Sequence, residues 1–266
     1  MQQVPRRIVS LVPSTTESVV AFGAVDRLSA CTRYCVEPAA ALALVPRIGG
    51  TKNPQREAIA ALAPDLVLAN AEENRAEDLD WLGARFPVLV QTPTTVAEAV
   101  QAWRELAQVL GDAAVVDRFA RRLDESLAAA TSLRQECGEE PAFYAIWPKP
   151  WMSINQTTFV HDVLRLLGWR NVCADAATRY PTVEPAAIAA QQPAVVLLPD
   201  EPWVFTAQDA AQHAAQRTFG GASVTACSGR DFCWHGTALA EGLGRAVQLR
   251  RQLQGQLQGQ LRQPSA

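Results

Sequence analysis

Two glutamates occupy matched places in the chain. Glu72 stands eight residues after Pro64 and Glu201 eight after Pro193, with a short apolar run in each interval, Leu66–Ala69 and Val195–Leu198. A carboxylate works as general acid or base when a second one faces it across a desolvated gap. The adjacent pair Glu72–Glu73, two neighbours on one exposed loop, lacks that geometry. No GxSxG elbow, P-loop, GxGxxG fingerprint or HExxH pair is present. Of the three histidines, His161 and His213 fall on the expected solvated faces of helices. His235 falls in a loop, where it could reach a ligand's metal or serve as a plain loop residue. The six cysteines, Cys31, Cys35, Cys137, Cys173, Cys227 and Cys233, show no CxxC pair and no histidine at zinc-ligand spacing. Cys31 and Cys35 could pair, but they read better as small buried hydrophobes. Neither an enzyme nor a metal site is expected.

Aromatic residues are better placed. Of the seven tryptophans, Trp147, Trp151, Trp203 and Trp234 fall in loops after expected strands of the second half. Tyr34 and Tyr180 sit in comparable loops, and the only lysines, Lys52 and Lys149, lie in two of them. An indole in a loop must pack on something. For any single one that partner could be the core. Four at the same end of one lobe favour a flat, bulky, largely apolar ligand.

The elements that carry these loops alternate. Ile8–Val12 reads as a strand, followed by a short helix with a capping box at Ser14 and Glu17 and a stop at Gly23. Further strands are expected at 27–32, 47–54, 66–69, 87–91, 142–147, 169–173, 194–198 and 223–227. Helices are expected between them and from about Thr237 to Leu253. Unbroken apolar runs such as Leu66–Ala69 suit central parallel strands covered on both faces, and the alternation suits a doubly wound parallel sheet. Between the two copies of the strand–Glu unit, Val116, Phe119, Leu123, Leu127, Ala130 and Leu133 recur at steps of three and four, with no Pro or Gly before Gly138. That predicts one long helix acting as a strut.

Composition narrows the classes. A 266-residue chain that is 48% hydrophobic can bury a full core in one large domain or two lobes. A net charge of −3 argues against nucleic-acid binding. No run reaches the roughly 18 apolar residues of a membrane span. The first residues show no ordered signal sequence, so either a cytosolic chain or a start further upstream is expected.

Five stretches together resemble a known group. They are Arg7-Ile8-Val9-Ser10-Leu11-Val12-Pro13-Ser14-Thr15-Thr16-Glu17, Gly49-Gly50-Thr51-Lys52-Asn53-Pro54, the Pro64–Asn74 segment, Ile146-Trp147-Pro148-Lys149-Pro150-Trp151-Met152 and Leu198-Pro199-Asp200-Glu201-Pro202. The chain, over about 6–250, resembles the helical-backbone (class III) substrate-binding proteins of ABC importers, which carry cobalamin, haem or iron–siderophore. It looks nearest to the cobalamin branch. The resemblance implies an α/β fold of two Rossmann-like lobes with parallel sheets, joined by one backbone helix, with the ligand cleft between the lobes. The expected divisions are an N-terminal lobe at 6–111, the helix at 112–138, a C-terminal lobe at 139–254 and a frayed tail at 255–266.

It further implies a non-enzymatic, monomeric receptor for a corrinoid or another metal chelate, without a resident cofactor and without membrane insertion. Ligand contacts are expected from Tyr34, Lys52, Trp147, Trp151, Tyr180 and Trp234. One glutamate per lobe would dock on arginines of the permease dimer, and Glu72 and Glu201 match those positions, with Glu73 a near-equivalent. Periplasmic location follows from the resemblance; a cytoplasmic one follows if no signal sequence precedes the chain. Two alternatives stand beside the corrinoid receptor. One is a haem or ferric-siderophore receptor of the same fold, with Tyr34 or Tyr180 as a metal ligand. The other is a cytosolic binding or sensing protein with no permease.

Overall fold

The computed structural model describes residues 4–261. The chain divides into two compact units. The first holds the chain up to Pro93, Ala97–Ala120 and a short return, His235–Ala238; the second holds Thr94–Val96, Arg121–Trp234 and the chain from Leu239 onward.

The strands of the first unit are Ile8–Ser10 (β1), Leu28–Cys31 (β2), the antiparallel pair Gly49–Gly50 (β3) and Asn53–Pro54 (β4), Leu66–Ala69 (β5) and Val88–Val90 (β6). β1, β2, β5 and β6 form a parallel sheet in the order β2-β1-β5-β6. The strands of the second unit are Glu140–Tyr144 (β7), the antiparallel pair Trp147–Pro148 (β8) and Trp151–Met152 (β9), Trp169–Asn171 (β10), Val195–Pro199 (β11) and Ser223–Cys227 (β12). Its parallel sheet runs β10-β7-β11-β12. Counted in chain order, the sheet strands of both units therefore read 2-1-3-4. The repeated apolar run is the third strand in each, β5 and β11, and every residue of both is buried. Helices on the two faces leave no solvent side that would call for alternation.

Each sheet builds its own core. In the first unit Val9, Leu11, Ala30, Val67 and Ala69 meet Ile48, Ile59 and Leu82. In the second, Phe143, Val196 and Leu198 meet Ile188, Phe205 and Phe219. The expected long helix forms over Val116–Cys137 after a 3-10 turn at Ala113–Val115. At 1.5 Å per residue it is about 33 Å long. Val116, Leu123, Ala130 and Leu133 are buried along it, and Phe119 meets Phe22 edge-on at 5.7 Å. Among the described residues, no helix is long and apolar enough to cross a membrane.

Three local expectations change. The first helix begins at Pro13 rather than behind a capping box: Val12 is its N-cap with no side-chain cap. A proline fits the first helical position because its missing N–H would have had no partner there, which frees Ser14 and Glu17 for other contacts. The strand expected to reach Trp147 stops at Tyr144, and Trp147 instead opens the β8–β9 hairpin. Pro148 and Pro150 cannot donate to a parallel ladder. The last helix, Leu239–Leu261, runs past Leu253, since the Gln and Leu that follow are good helix formers and outweigh single glycines. Of the expected frayed tail, 262–266 lie outside the described residues.

Candidate functional site

In a parallel sheet of order 2-1-3-4 the winding reverses between the first and third strands, and ligands tend to lie beyond the carboxyl ends of that pair. In the first unit those ends belong to β1 and β5. After β5, Asn70 organises the loop: its Oδ1 accepts from the backbone N–H groups of Glu72 at 2.7 Å and Glu73 at 3.2 Å. Asn74 Oδ1 accepts from Asn70 N at 2.9 Å, and Asn74 Nδ2 donates to Thr51 O at 2.9 Å, which ties the loop to the β3–β4 turn. Lys52, in that turn, donates from Nζ to the carbonyl of Glu72 at 2.6 Å. Tyr34 lies against the same hairpin. A Cβ at Gly50 would come within 3.1 Å of its ring, and the Arg33 guanidinium covers that ring at 5.1 Å. The structure thus brings Tyr34, Lys52 and Glu72 to one edge of the first unit.

The crevice between β1 and β5 itself is filled by His235–Ala238. His235 is buried, with Nε2 3.2 Å from Asn70 Nδ2 and 3.4 Å from Ser14 Oγ. Asn70 Oδ1 is used on the backbone, so its Nδ2 faces the ring as a donor and Nε2 must accept. Burial pushes the imidazole down to about 4, against a backbone hydrogen bond of its own that raises it. The His235 carbonyl accepts from Trp103 Nε1 at 2.8 Å. Gly236 follows without a side chain because an added Cβ would lie 2.1 Å from Ser14 O. The Glu17 carboxylate accepts from Thr237 Oγ1 at 3.1 Å and Ala238 N at 3.0 Å, and Ser18 Oγ accepts from Thr237 N at 2.9 Å. His235, expected as a loop residue able to reach a ligand's metal, is therefore a packed, neutral hydrogen-bond acceptor. Among the described residues no group of three or more His, Cys, Asp or Glu could hold a metal ion.

In the second unit the equivalent ends are those of β7 and β11. Asp200 accepts from Gly229 N at 2.7 Å and its own N–H donates to Cys227 O at 3.1 Å, joining the loops after β11 and β12. Glu201 is half-buried against Gly229, where a Cβ would lie 2.5 Å from Glu201 Cγ. Its carboxylate accepts from the Cys233 thiol at 3.5 Å and from Trp234. Burial pushes the Glu201 carboxyl up, against the pull of those two donors. Below it Tyr144 closes β7 with a buried hydroxyl that has no hydrogen-bond partner among the described residues. Burial holds that phenol well above its usual range, and Cys227, Cys233, Glu201 and Asp200 around it add to the effect.

The remaining expected residues separate. Trp147 and Trp203 meet edge to face at 4.8 Å and are 37% and 41% exposed, with Tyr180 at 38% and, in the first unit, Tyr34 at 52%. Trp234 carries the Arg230 guanidinium over its ring at 4.4 Å. Trp151 departs from them: its indole stacks on Phe205 at 5.9 Å and meets Phe219 at 5.1 Å, so it packs on the core. His213 touches the same indole at 5.1 Å, and both His161 and His213 are half-buried rather than solvated, with burial lowering each pKa. Sequence reasoning missed Asn70, Asn74, Ser14 and Glu17. Two asparagines four apart after a buried strand were the available signal, since such side chains bond their own turn.

The family described as periplasmic binding protein matches residues 8–217. The vitamin B12-binding protein of Vibrio parahaemolyticus is 28% identical over 191 residues, 71% of this chain and 69% of that protein. The vitamin B12-binding protein of Photorhabdus laumondii is 27% identical over 195 residues, 73% of this chain and 70% of its own length. Among solved structures, the periplasmic vitamin B12 binding protein BtuF of Vibrio cholerae superposes with a TM-score of 0.82 at 23% identity, covering 94% of this chain and 98% of that one. The periplasmic heme-binding protein RhuT from Roseiflexus sp. RS-1, in apo form, gives 0.78 at 22% identity, covering 94% and 99%.

Proposed function

The chain belongs to the periplasmic binding protein family, whose members are binding proteins rather than enzymes, and from that premise we propose that it captures a corrinoid and delivers it to the permease of an ABC importer. The similarity to vitamin B12-binding relatives over about seven-tenths of both chains carries the choice of ligand. Aromatic side chains left exposed on well-packed units agree with it, because a corrin ring offers a broad apolar face for stacking. In this reading Tyr34 and Lys52 of the first unit and Trp147, Tyr180 and Trp234 of the second contact the ligand. Trp151 anchors the hairpin that carries Trp147. The protein works as a monomer without a resident cofactor.

Titration with cyanocobalamin should quench tryptophan fluorescence with sub-micromolar affinity, and Trp147→Ala should weaken binding about tenfold, or ~1.4 kcal/mol. Absence of quenching and of thermal stabilisation by any corrinoid removes the ligand. Haem is the second reading, favoured by the fold shared with RhuT and by the exposed phenol of Tyr34. Tighter binding of haemin than of cobalamin would select it.

Glu72 and Glu201 are the proposed docking carboxylates, making charge-assisted pairs with permease arginines. The double variant Glu72→Gln, Glu201→Gln removes charge but leaves one side-chain oxygen at position 201 to accept from Cys233 or Trp234. It should lose permease binding while holding cobalamin as before; normal docking would make both residues ordinary loop charges. Periplasmic location belongs to the same proposal. Recovery of the native protein in the cytosolic fraction would replace delivery with cytosolic ligand sensing.

A further inference from the structure

Cys31 closes β2, and Cys35 follows after the turn Thr32–Tyr34. The Cys35 N–H donates to Thr32 O at 3.1 Å, folding the second cysteine back toward the first. Both are fully buried. Thr16 Oγ1 and Thr32 Oγ1 each lie 3.1 Å from Cys35 Sγ. One nitrogen of Arg47, Nη1, donates to Cys31 Sγ at 2.6 Å and to the Cys35 carbonyl at 2.6 Å, so a single cationic group spans the pair. Small buried hydrophobes have no use for a guanidinium and two hydroxyls at their sulfurs.

We propose that Cys31 and Cys35 are a redox-modification site, a buried dithiol that becomes an intramolecular disulfide by exchange with an external disulfide. The neighbouring Cys31 and the hydroxyls of Thr16 and Thr32 draw the Cys35 thiol down against burial, while Cys35 and burial push Cys31 up. The two hydroxyls at its sulfur make Cys35 the attacking thiol of this proposal, with the Arg47 guanidinium beside the pair favouring loss of a proton. In the first step the Cys35 thiolate attacks the external disulfide; its S–S bond breaks, one thiolate leaves and a mixed disulfide forms on Cys35. In the second, Cys31 gives its proton to solvent and attacks the Cys35 sulfur, expelling the other thiolate. Two electrons pass from the cysteine pair to the external disulfide, which ends as two thiols. The reaction is independent of any cargo. One consequence does rest on the receptor reading: the closed ring of residues 31–35 holds the turn bearing Arg33 and Tyr34, and so pins part of the ligand surface.

The test is to refold the full chain in glutathione buffers of graded thiol-to-disulfide ratio, so that burial cannot block exchange, then quench with acid, alkylate and map peptides by mass spectrometry. The expected result is a Cys31–Cys35 cross-link whose half-oxidation point is at least tenfold more reducing than that of the same pair held in denaturant. The other four cysteines should remain alkylatable. Cys31→Ser should leave glutathione attached to Cys35. Free Cys31 and Cys35 at every ratio, or a cross-link no more favoured than in denaturant, overturns the proposal. A protein that cross-links as described but binds no corrinoid would remove the receptor reading and leave this one in place.

Discussion

At the carboxyl ends of β1 and β5 the chain's own segment His235–Ala238 fills the crevice through hydrogen bonds with Asn70, Trp103, Glu17 and Ser18, whereas at the ends of β7 and β11 a tyrosine hydroxyl lies buried with no partner among the described residues. The two places share strand order, a buried third strand and a glutamate eight residues after a proline. Shared topology therefore sets where the two glutamates stand and leaves open what surrounds them. Glu72 rests on a loop organised by two asparagine side chains. Glu201 is pressed against Gly229, and its carboxylate is used by a thiol and an indole.

The sharpest way to break this contrast is to unseat the segment in the first crevice. In Gly236→Ala the new methyl would sit 2.1 Å from Ser14 O and 2.7 Å from Ser18 Oγ, and a backbone oxygen inside a helix has nowhere to go. Urea denaturation should show a loss of roughly 4 kcal/mol or more. Its counterpart Gly229→Ala meets Glu201 Cγ at 2.5 Å and the Glu201 carbonyl oxygen at 2.9 Å, a smaller backbone overlap than the 2.1 Å approach at Gly236, and should cost less. Equal losses would mean that both crevices are packed alike.

A pH series probes the same segment next. The folded pKa of His235 lies near 4, below its ordinary 6.5, so the folded state refuses a proton that the unfolded chain accepts. Its contribution is full above about pH 6.5 and is lost as the pH falls through 4, about 3 kcal/mol over the whole window. Between pH 7 and 4.5 the wild type should lose about 2 kcal/mol more than His235→Gln, which cannot charge. Parallel curves would place the imidazole in contact with solvent. Removing the organiser of the loop is a smaller change. Asn70→Ala strips acceptors from two backbone N–H groups and the donor facing His235, and should cost about 2 kcal/mol, against about 1 for Asp200→Ala.

The division between legible and illegible follows the reach of the interactions. Both third strands could be read because burial on two faces leaves its mark in four or five consecutive residues, and the long helix because its apolar stripe repeats over about five turns. Exposed Tyr34, Trp147 and Tyr180 were readable as bulky residues in loops. The contact of His235 with Ser14 and Asn70 was not, since it joins residues 221 and 165 positions apart and nothing local marks it. The packing of Trp151 was illegible for a related reason: an indole in a hairpin looks the same in sequence whether it faces solvent or Phe205. The capping-box pattern at Ser14 and Glu17 was present but outcompeted, because Pro13 starts the helix two residues earlier and Glu17 serves Thr237 and Ala238 instead.

The smallest effect belongs to the second crevice and bears most directly on the contrast. A hydroxyl buried without a partner forfeits its hydration and gains nothing in return, so deleting it should relieve a penalty rather than impose one. Tyr144→Phe keeps the ring against Phe232, 5.6 Å between centroids, and removes only the oxygen. Its stability should equal that of the wild type or exceed it by up to about 1 kcal/mol. Asn70→Ala, in the strand-end crevice of the first unit, should move in the opposite direction. A loss of more than 1 kcal/mol in Tyr144→Phe would show that the hydroxyl is bonded after all, and the two strand-end crevices would then differ only in which groups satisfy them.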